Sequence, residues 1–379
     1  MRLSELDERL SAAHAVGPDA EGDAAWKPWL VELAPGEAAR FGGLCTEHGL
    51  TVFDRIRPQL VELAEIRHPA EGSEPARADF VRGTLERSGG GASYGTWVCL
   101  PWESKVVHVL AREDFFDVIT SRNQEKITRA EQMTLRSKRV GVVGLSVGAE
   151  IAVSVAQEHL CGSIALADFD RLELSNLNRL GAGVDELGVN KAHLAARRIA
   201  RIDPYLEVDV YPAGIHHHNA PDFLQGLDLL IEECDGLDLK LRLRELARAR
   251  RLDVIYAADE RGLLSIEPYS THPDYPLFHG KAEGLSPTCE TLTSTRGYID
   301  SLLAWLGGHD ALSERSRLSV PKIGDTLCGY PQLASEPRLA AGQIGHVARR
   351  LLLGEPLPPV FAHFDLAQAL SRSAPPRSG

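Results

Sequence analysis

The sequence predicts an α/β chain: a mostly parallel sheet with helices wound around it, preceded by a small α+β domain and followed by a helical extension. Three observations carry this. Residues 140–143 and 164–167 are short apolar runs flanking a helix pattern over 149–160, which is a βαβ unit. Residues 227–231 and 252–257 are further apolar runs, continuous rather than alternating, as suits strands covered on both faces. The first 120 residues lack that rhythm and instead hold Trp26, Trp29, Trp97 and Trp102 with a hairpin pattern. The length, 379 residues, accommodates two or three domains. The boundaries read as 1–120 for the α+β domain, 121–290 for the α/β domain and 291–379 for the extension and tail.

In the N-terminal block, residues 94–100 and 106–110 read as antiparallel strands across Pro101 to Lys105. Residues 69–95 are rich in Gly, Ser, Pro and charge, and part of that stretch reads as loop. No chemical motif occurs here, so the block reads as a platform for a substrate or partner. Residues 120–126 then lead toward the first strand of the α/β domain.

That strand ends in a glycine turn, Gly144-Leu145-Ser146-Val147-Gly148. Such a turn presents backbone N–H groups at a helix N-terminus, where phosphate binds. Two other readings share these letters. The dinucleotide fingerprint G-x-G-x-x-G would put glycine where Ser146 stands and its last glycine one residue later. The pattern G-x-S-x-G is also the nucleophile elbow of hydrolases, with Ser146 as nucleophile. The residues after the second strand separate these readings. A nicotinamide site needs one acidic residue at the end of that strand. Here Asp168 is succeeded by Asp170, by Ser175-Asn176-Leu177-Asn178-Arg179, and by Lys191 just past Gly188.

This combination resembles the ThiF/MoeB family, adenylating enzymes related to ubiquitin activators, over roughly residues 122–268. With the N-terminal block and the GLSVG and IEECD variants, it is similar to the bacterial ThiF module that can occur fused to a nitroreductase-like domain. The resemblance implies a Rossmann-like domain that binds ATP and transfers AMP to a carboxylate. It implies nucleotide contact by Gly144, Ser146 and Gly148, ribose binding by Asp168 with Asp170 beside it, and phosphate contact by Ser175, Asn176 or Asn178, Arg179 and Lys191. Where the family has D-C-T-D-N, this chain has Glu232-Glu233-Cys234-Asp235-Gly236. Asp235 matches the Mg²⁺-binding Asp and Glu232 stands at the first Asp. Asp235 also stands where the following helix needs an N-cap. Arg122, or alternatively Lys126, matches an arginine that reaches across a homodimer. The implied catalytic set is Arg122, Arg179, Lys191 and Asp235, with ATP and Mg²⁺ as cofactors. The implied acceptor is a ubiquitin-like or sulfur-carrier protein, a peptide, a tRNA-borne carboxylate or a small acid.

Further along, a helix begins near Asn190, and residues 206–211 read as a strand. His216, His217 and His218 read as surface, because adjacent loop residues seldom converge on one metal. The basic run 240–251 reads as an exposed helix face. Residues 263–267 read as a strand and 271–295 as irregular. The irregular stretch contains Cys289, which reads as a buried thiol, the commoner state of free cysteine, or as a thioester nucleophile. Residues 298–306 and 338–353 read as helices, and the chain after 371 as a frayed tail.

The formal net charge of −12 argues against broad binding to nucleic acid or anionic membrane. No apolar run reaches membrane-span length, and a cytoplasmic protein is the expectation. The six cysteines include no C-x-x-C pair, which argues against a disulfide framework or a paired-cysteine zinc site. A nicotinamide-dependent oxidoreductase and a non-catalytic ThiF-like scaffold are the alternatives to adenylation.

Overall fold

The apolar runs of the second half become a seven-stranded sheet in the computed structural model, which describes residues 1–16, 22–70, 73–258, 260–281, 308 and 311–372. Contacts divide the chain into one unit of residues 1–132 with 196–206 and another of 133–195 with 207–379.

The first unit holds a four-stranded sheet in the order β1-β3-β4-β2. Its strands are β1 (Trp29–Val31), β2 (Thr51–Asp54), β3 (Thr96–Leu100) and β4 (Lys105–Val109). β3 and β4 form the expected antiparallel hairpin, and β2 runs parallel to β4. The helices are α1 (Leu3–Val16), α2 (Ala38–Glu47), α3 (Ile56–Arg67), α4 (Glu74–Arg87), α5 (Arg112–Ile119) and α6 (Arg129–Leu135). Leu6, Trp29, Phe41, Trp97 and Val106 share one core, and Leu60, Leu63, Val81 and Leu85 another. Much of the stretch read partly as loop is therefore helix α4. Its proline, Pro75, falls in the first turn, where no backbone donor is needed.

In the second unit the sheet order is β11-β10-β9-β8-β5-β6-β7. Five strands are parallel: β5 (Arg139–Val143), β6 (Ser163–Ala167), β7 (Glu207–Tyr211), β8 (Leu229–Glu232) and β9 (Val254–Ala258). β10 (Leu263–Glu267) and β11 (Val360–His363) add antiparallel pairs. Helices α7 (Val147–Gln157), α9 (Ala220–Phe223) and α10 (Leu237–Ala249) intervene, with α8 (Lys191–Ile202), whose residues from 196 on are counted in the first unit, and a later helix, Ser335–Leu352, packs on α7 and on β8 to β10. From β5 the chain builds outward first through β6 and β7, then on the other side through β8 and β9. The reversal between β5 and β8 is a topological switch point, where ligands of such sheets bind at the strand C-termini. Beyond the expected helical extension, the C-terminal segment also supplies the edge strand β11.

The basic run does not form an exposed face. Lys240 and Arg244 are buried. They lie on the side of α10 that carries Leu237 and Leu241, because positions three and four apart share a helix face. The Lys240 ammonium sits 4.2 Å from the Tyr256 ring centroid and the Arg244 guanidinium 4.1 Å from that of Phe278. Their charges are met by Glu232 and Glu267. The His216–His218 triplet is exposed, as expected. The expected helix over 298–306 lies outside the described residues. Among the described residues, no helix is long and apolar enough to cross a membrane.

Candidate active site

The site is built on the C-terminal ends of β5, β6 and β8. Gly144 takes φ +86°, and a Cβ there would meet the Glu233 carbonyl oxygen at 2.4 Å, so only glycine fits. Its N–H donates to the Ala167 carbonyl at 2.9 Å. Ser146 is the N-cap of α7 and makes no side-chain cap bond, leaving first-turn N–H groups without a side-chain cap at that helix end. Gly148 is buried against Val142.

The acidic turn after β6 is bonded to this glycine turn. Asp168 Oδ2 accepts the Leu145 N–H at 2.6 Å, and Oδ1 accepts the Asp170 N–H at 2.8 Å. Burial raises the Asp168 carboxyl above its ordinary range, while those two N–H donors and the Lys191 ammonium work against the rise. Lys191, buried at the start of α8, reaches Asp170 Oδ2 at 2.8 Å.

Asn190 organises this corner, a role that its place at a helix start does not by itself reveal. Its side-chain amide nitrogen lies within bonding distance of the carbonyls of Asp168, Asp170 and Pro212, at 3.0, 3.2 and 3.1 Å. Its oxygen accepts the N–H groups of Ala192 and His193 as an N-cap. An asparagine directly before a helix pattern is a legible cap signal; the three carbonyls appear only in the fold.

The crossing loop from β6 to α8 is anchored by Leu172, Leu180 and Leu194 in one apolar cluster. Within it Asn176 is buried and accepts the Glu173 N–H at 3.0 Å. Ser175 and Asn178 are exposed. Asn178 donates to the Gln332 carbonyl at 2.9 Å. Arg179 donates to Asn178 Oδ1 at 2.9 Å and to the Ser175 carbonyl at 3.2 Å. Glu150, in the first turn of α7, accepts the Gly181 N–H at 3.0 Å, tying the loop to the helix whose N-terminus faces the site.

Asp235 is exposed in the turn after β8. The N-cap of α10 is Gly236, not Asp235. Among the described residues, no group of three or more His, Cys, Asp or Glu is placed to hold a metal. One exposed carboxylate at the strand ends fits an ion that takes its remaining ligands from phosphate and water, as Mg²⁺ does. Burial pushes the thiol of Cys234, next to Asp235, well above its ordinary value, and the Glu232 carboxylate adds to this. Cys289 lies outside the described residues. Arg122 and Lys126 are exposed residues of the first unit, Arg122 in the turn Ser121–Asn123.

The ThiF family model matches residues 120–313, just over half of the chain. The chain belongs to the ThiF family. This ThiF-family chain is 42% identical to "Uncharacterized protein MT1398" of Mycobacterium tuberculosis over 276 residues, 73% of this chain and 38% of that protein. It is 27% identical to "Adenylyltransferase and sulfurtransferase UBA4" of Scheffersomyces stipitis over 174 residues, 44% of this chain and 38% of that one. It is 24% identical to the "Sulfur carrier protein adenylyltransferase" of Thermus thermophilus over 147 residues, 38% of this chain and 51% of that one. The chain thus spans between about two fifths and half the length of these relatives.

Proposed function

We propose that the chain is an ATP-dependent adenylyltransferase that activates a carboxylate. The observation that carries this is the bonding of the glycine turn, the D-F-D turn and Lys191 into one unit at the switch point of the sheet, through Leu145 to Asp168 and Lys191 to Asp170. Family membership and relatives named as adenylyltransferases support the same reading.

In this reading the N-terminus of α7 receives phosphate and Asp168 orients the ribose. Asn176 or Asn178, with Arg179 and Lys191, supplies donors and positive charge, with Ser175 beside them. Mg²⁺, held by Asp235 together with the triphosphate, would neutralise charge on the phosphates. A carboxylate oxygen of the acceptor attacks the α-phosphorus. The new O–P bond forms as the bond to the bridging oxygen breaks, and pyrophosphate leaves with that electron pair. The acceptor needs no general base, since a carboxylate is ionised at neutral pH. Positioning and charge neutralisation carry the rate. Arg122 acts from a second copy of the chain in a homodimer. The acceptor is a ubiquitin-like or sulfur-carrier protein, a peptide or a small acid.

The test is transfer of label from ATP carrying a radioactive α-phosphate to material that co-purifies with the protein, with mass spectrometry of the labelled species. An added AMP on a carboxyl group supports the reading. Label from the γ-phosphate appearing on the acceptor instead would refute it.

A further inference from the structure

Four charged side chains are buried behind the turn that carries Asp235. Glu232 and Arg244 are 0% exposed, Lys240 2% and Glu267 0%. Lys240 Nζ donates to both Glu232 oxygens, at 3.1 and 3.2 Å. Arg244 Nη1 donates to Glu232 Oε2 and its Nε to Glu267 Oε2, each at 2.5 Å. Glu267 Oε1 accepts the Tyr269 hydroxyl and the Phe278 N–H, each at 2.7 Å. Buried ion pairs stabilise a fold less well than apolar packing of the same volume, so stability is a poor reason for this network.

Its position supplies a better one. Glu232 ends β8 and Lys240 lies in the second turn of α10, so their ion pair closes a clasp around residues 233–236. Glu232 Oε1 also accepts the Cys234 N–H at 2.9 Å, binding the network to the backbone of the turn itself. On its other side the turn touches the glycine loop, since a Cβ on Gly144 would meet the Cys234 nitrogen at 2.6 Å. Arg244 fixes the clasp to β10 through Glu267. These four side chains therefore brace the turn that carries Asp235, beside the Glu233 N–H bond to the Val143 carbonyl at 2.7 Å.

We propose that Lys240 and Arg244, acting through Glu232, are positioning residues that hold Asp235 in place for the Mg²⁺ form of ATP. This rests on the reading of Asp235 as the metal carboxylate. None of the three needs to touch the nucleotide.

The experiment measures dissociation constants of the full chain for ATP by calorimetry, with MgCl₂ and with EDTA, alongside thermal melts. The quantity read is the gain in affinity due to Mg²⁺. Wild type should show a gain and Asp235→Ala should lose it. Absence of a gain in wild type, or its survival in Asp235→Ala, would refute the metal reading and with it this proposal. Given both controls, Glu232→Gln and Glu232→Asp should each reduce the gain about tenfold, as for loss of an outer-shell partner of a metal ligand, with Mg²⁺-free ATP binding unchanged. Glu232→Asp/Lys240→Arg should restore most of the gain, because the longer guanidinium stem reaches the shortened carboxylate. A gain unchanged from wild type in a folded single variant, Glu232→Gln or Glu232→Asp, overturns the proposal, as does equal weakening with and without Mg²⁺. Failure of all three variants to fold would make the network a stability element and overturn it too.

Discussion

The Leu145 N–H donates to Asp168 Oδ2 at 2.6 Å, so the glycine turn after β5 is bonded directly to the acidic turn after β6. Asp168→Asn presents one acceptor oxygen where two are used, and so leaves either the Leu145 or the Asp170 N–H without its side-chain acceptor. A lost bond of this kind costs about 1–3 kcal/mol when the donor stays buried. Urea unfolding should show that loss, and ATP binding should weaken with it. Unchanged stability and binding would show that the bond does not organise the site.

Gly144 tests the close approach of the two phosphate-side turns. Gly144→Ala places a Cβ 2.4 Å from the Glu233 carbonyl oxygen at φ +86°. Strain of this kind costs about 1–3 kcal/mol, and the Asp235 turn must shift to relieve it. The expected outcome is a lower unfolding midpoint together with weakened Mg²⁺-ATP binding. Ser146→Ala, in contrast, removes a hydroxyl that makes no cap bond and should be mild in both measurements. Labelling of Ser146 by a reactive-serine probe would favour a hydrolase instead.

Glu232 gives a pH prediction. Burial works to raise its carboxyl, but Lys240 and Arg244 outweigh burial and hold it below the ordinary value of 4.5. A carboxylate lowered by folding adds stability above its unfolded pKa, and that stability is lost as pH falls through the folded pKa. In Glu232→Gln this acid-sensitive part is absent. Urea midpoints measured between about pH 3 and 6 should therefore fall less steeply with acid in Glu232→Gln than in wild type. Parallel slopes would mean that folding does not lower the Glu232 pKa.

Arg122 gives a prediction about assembly. In a two-fold homodimer with the arginine donated in trans, Arg122→Ala spoils the donated group and Asp235→Ala the receiving pocket. Each homodimer of one variant should be nearly inactive. A hybrid holds one site with both defects and one with neither, and free equal mixing makes about half the dimers hybrids. Co-expression should then restore AMP transfer to roughly a quarter of wild type by that counting. No recovery despite subunit exchange would assign Arg122 to its own chain or to no role, and Lys126→Ala should next be tested in the same pairing.

The parts of the site legible in the sequence are those that are local. The glycine turn, Asp168, Asp170 and the S-N-L-N-R block sit within one βαβ unit and its following loop, a contiguous pattern through which the resemblance to the ThiF/MoeB family marks them. Lys240 and Arg244 read as surface because their partners Glu232 and Glu267 come from two different strands, and counting charge along a helix shows no such neighbours. The edge strand β11 is four residues long and comes directly after Pro358 and Pro359; pairing with β10, rather than any period of its own, makes it a strand. Asn190 is legible as a cap but not as a tie to Pro212, which is brought near only when β7 lies beside β6.

Whether this site takes Mg²⁺-ATP is decided by calorimetric titration of the wild-type chain and of Lys191→Ala with ATP and MgCl₂, and separately with NADH and NADPH. Lys191→Ala should stay folded, since its partner Asp170 is half-exposed and solvent can take up the carboxylate's charge. Wild type should bind Mg²⁺-ATP saturably and neither dinucleotide comparably. Lys191→Ala should bind Mg²⁺-ATP at least about tenfold more weakly, for loss of a charge-assisted phosphate contact. Binding of NADH or NADPH in preference to Mg²⁺-ATP, or Mg²⁺-ATP binding indifferent to Lys191, would mean that the site is not an adenylation site.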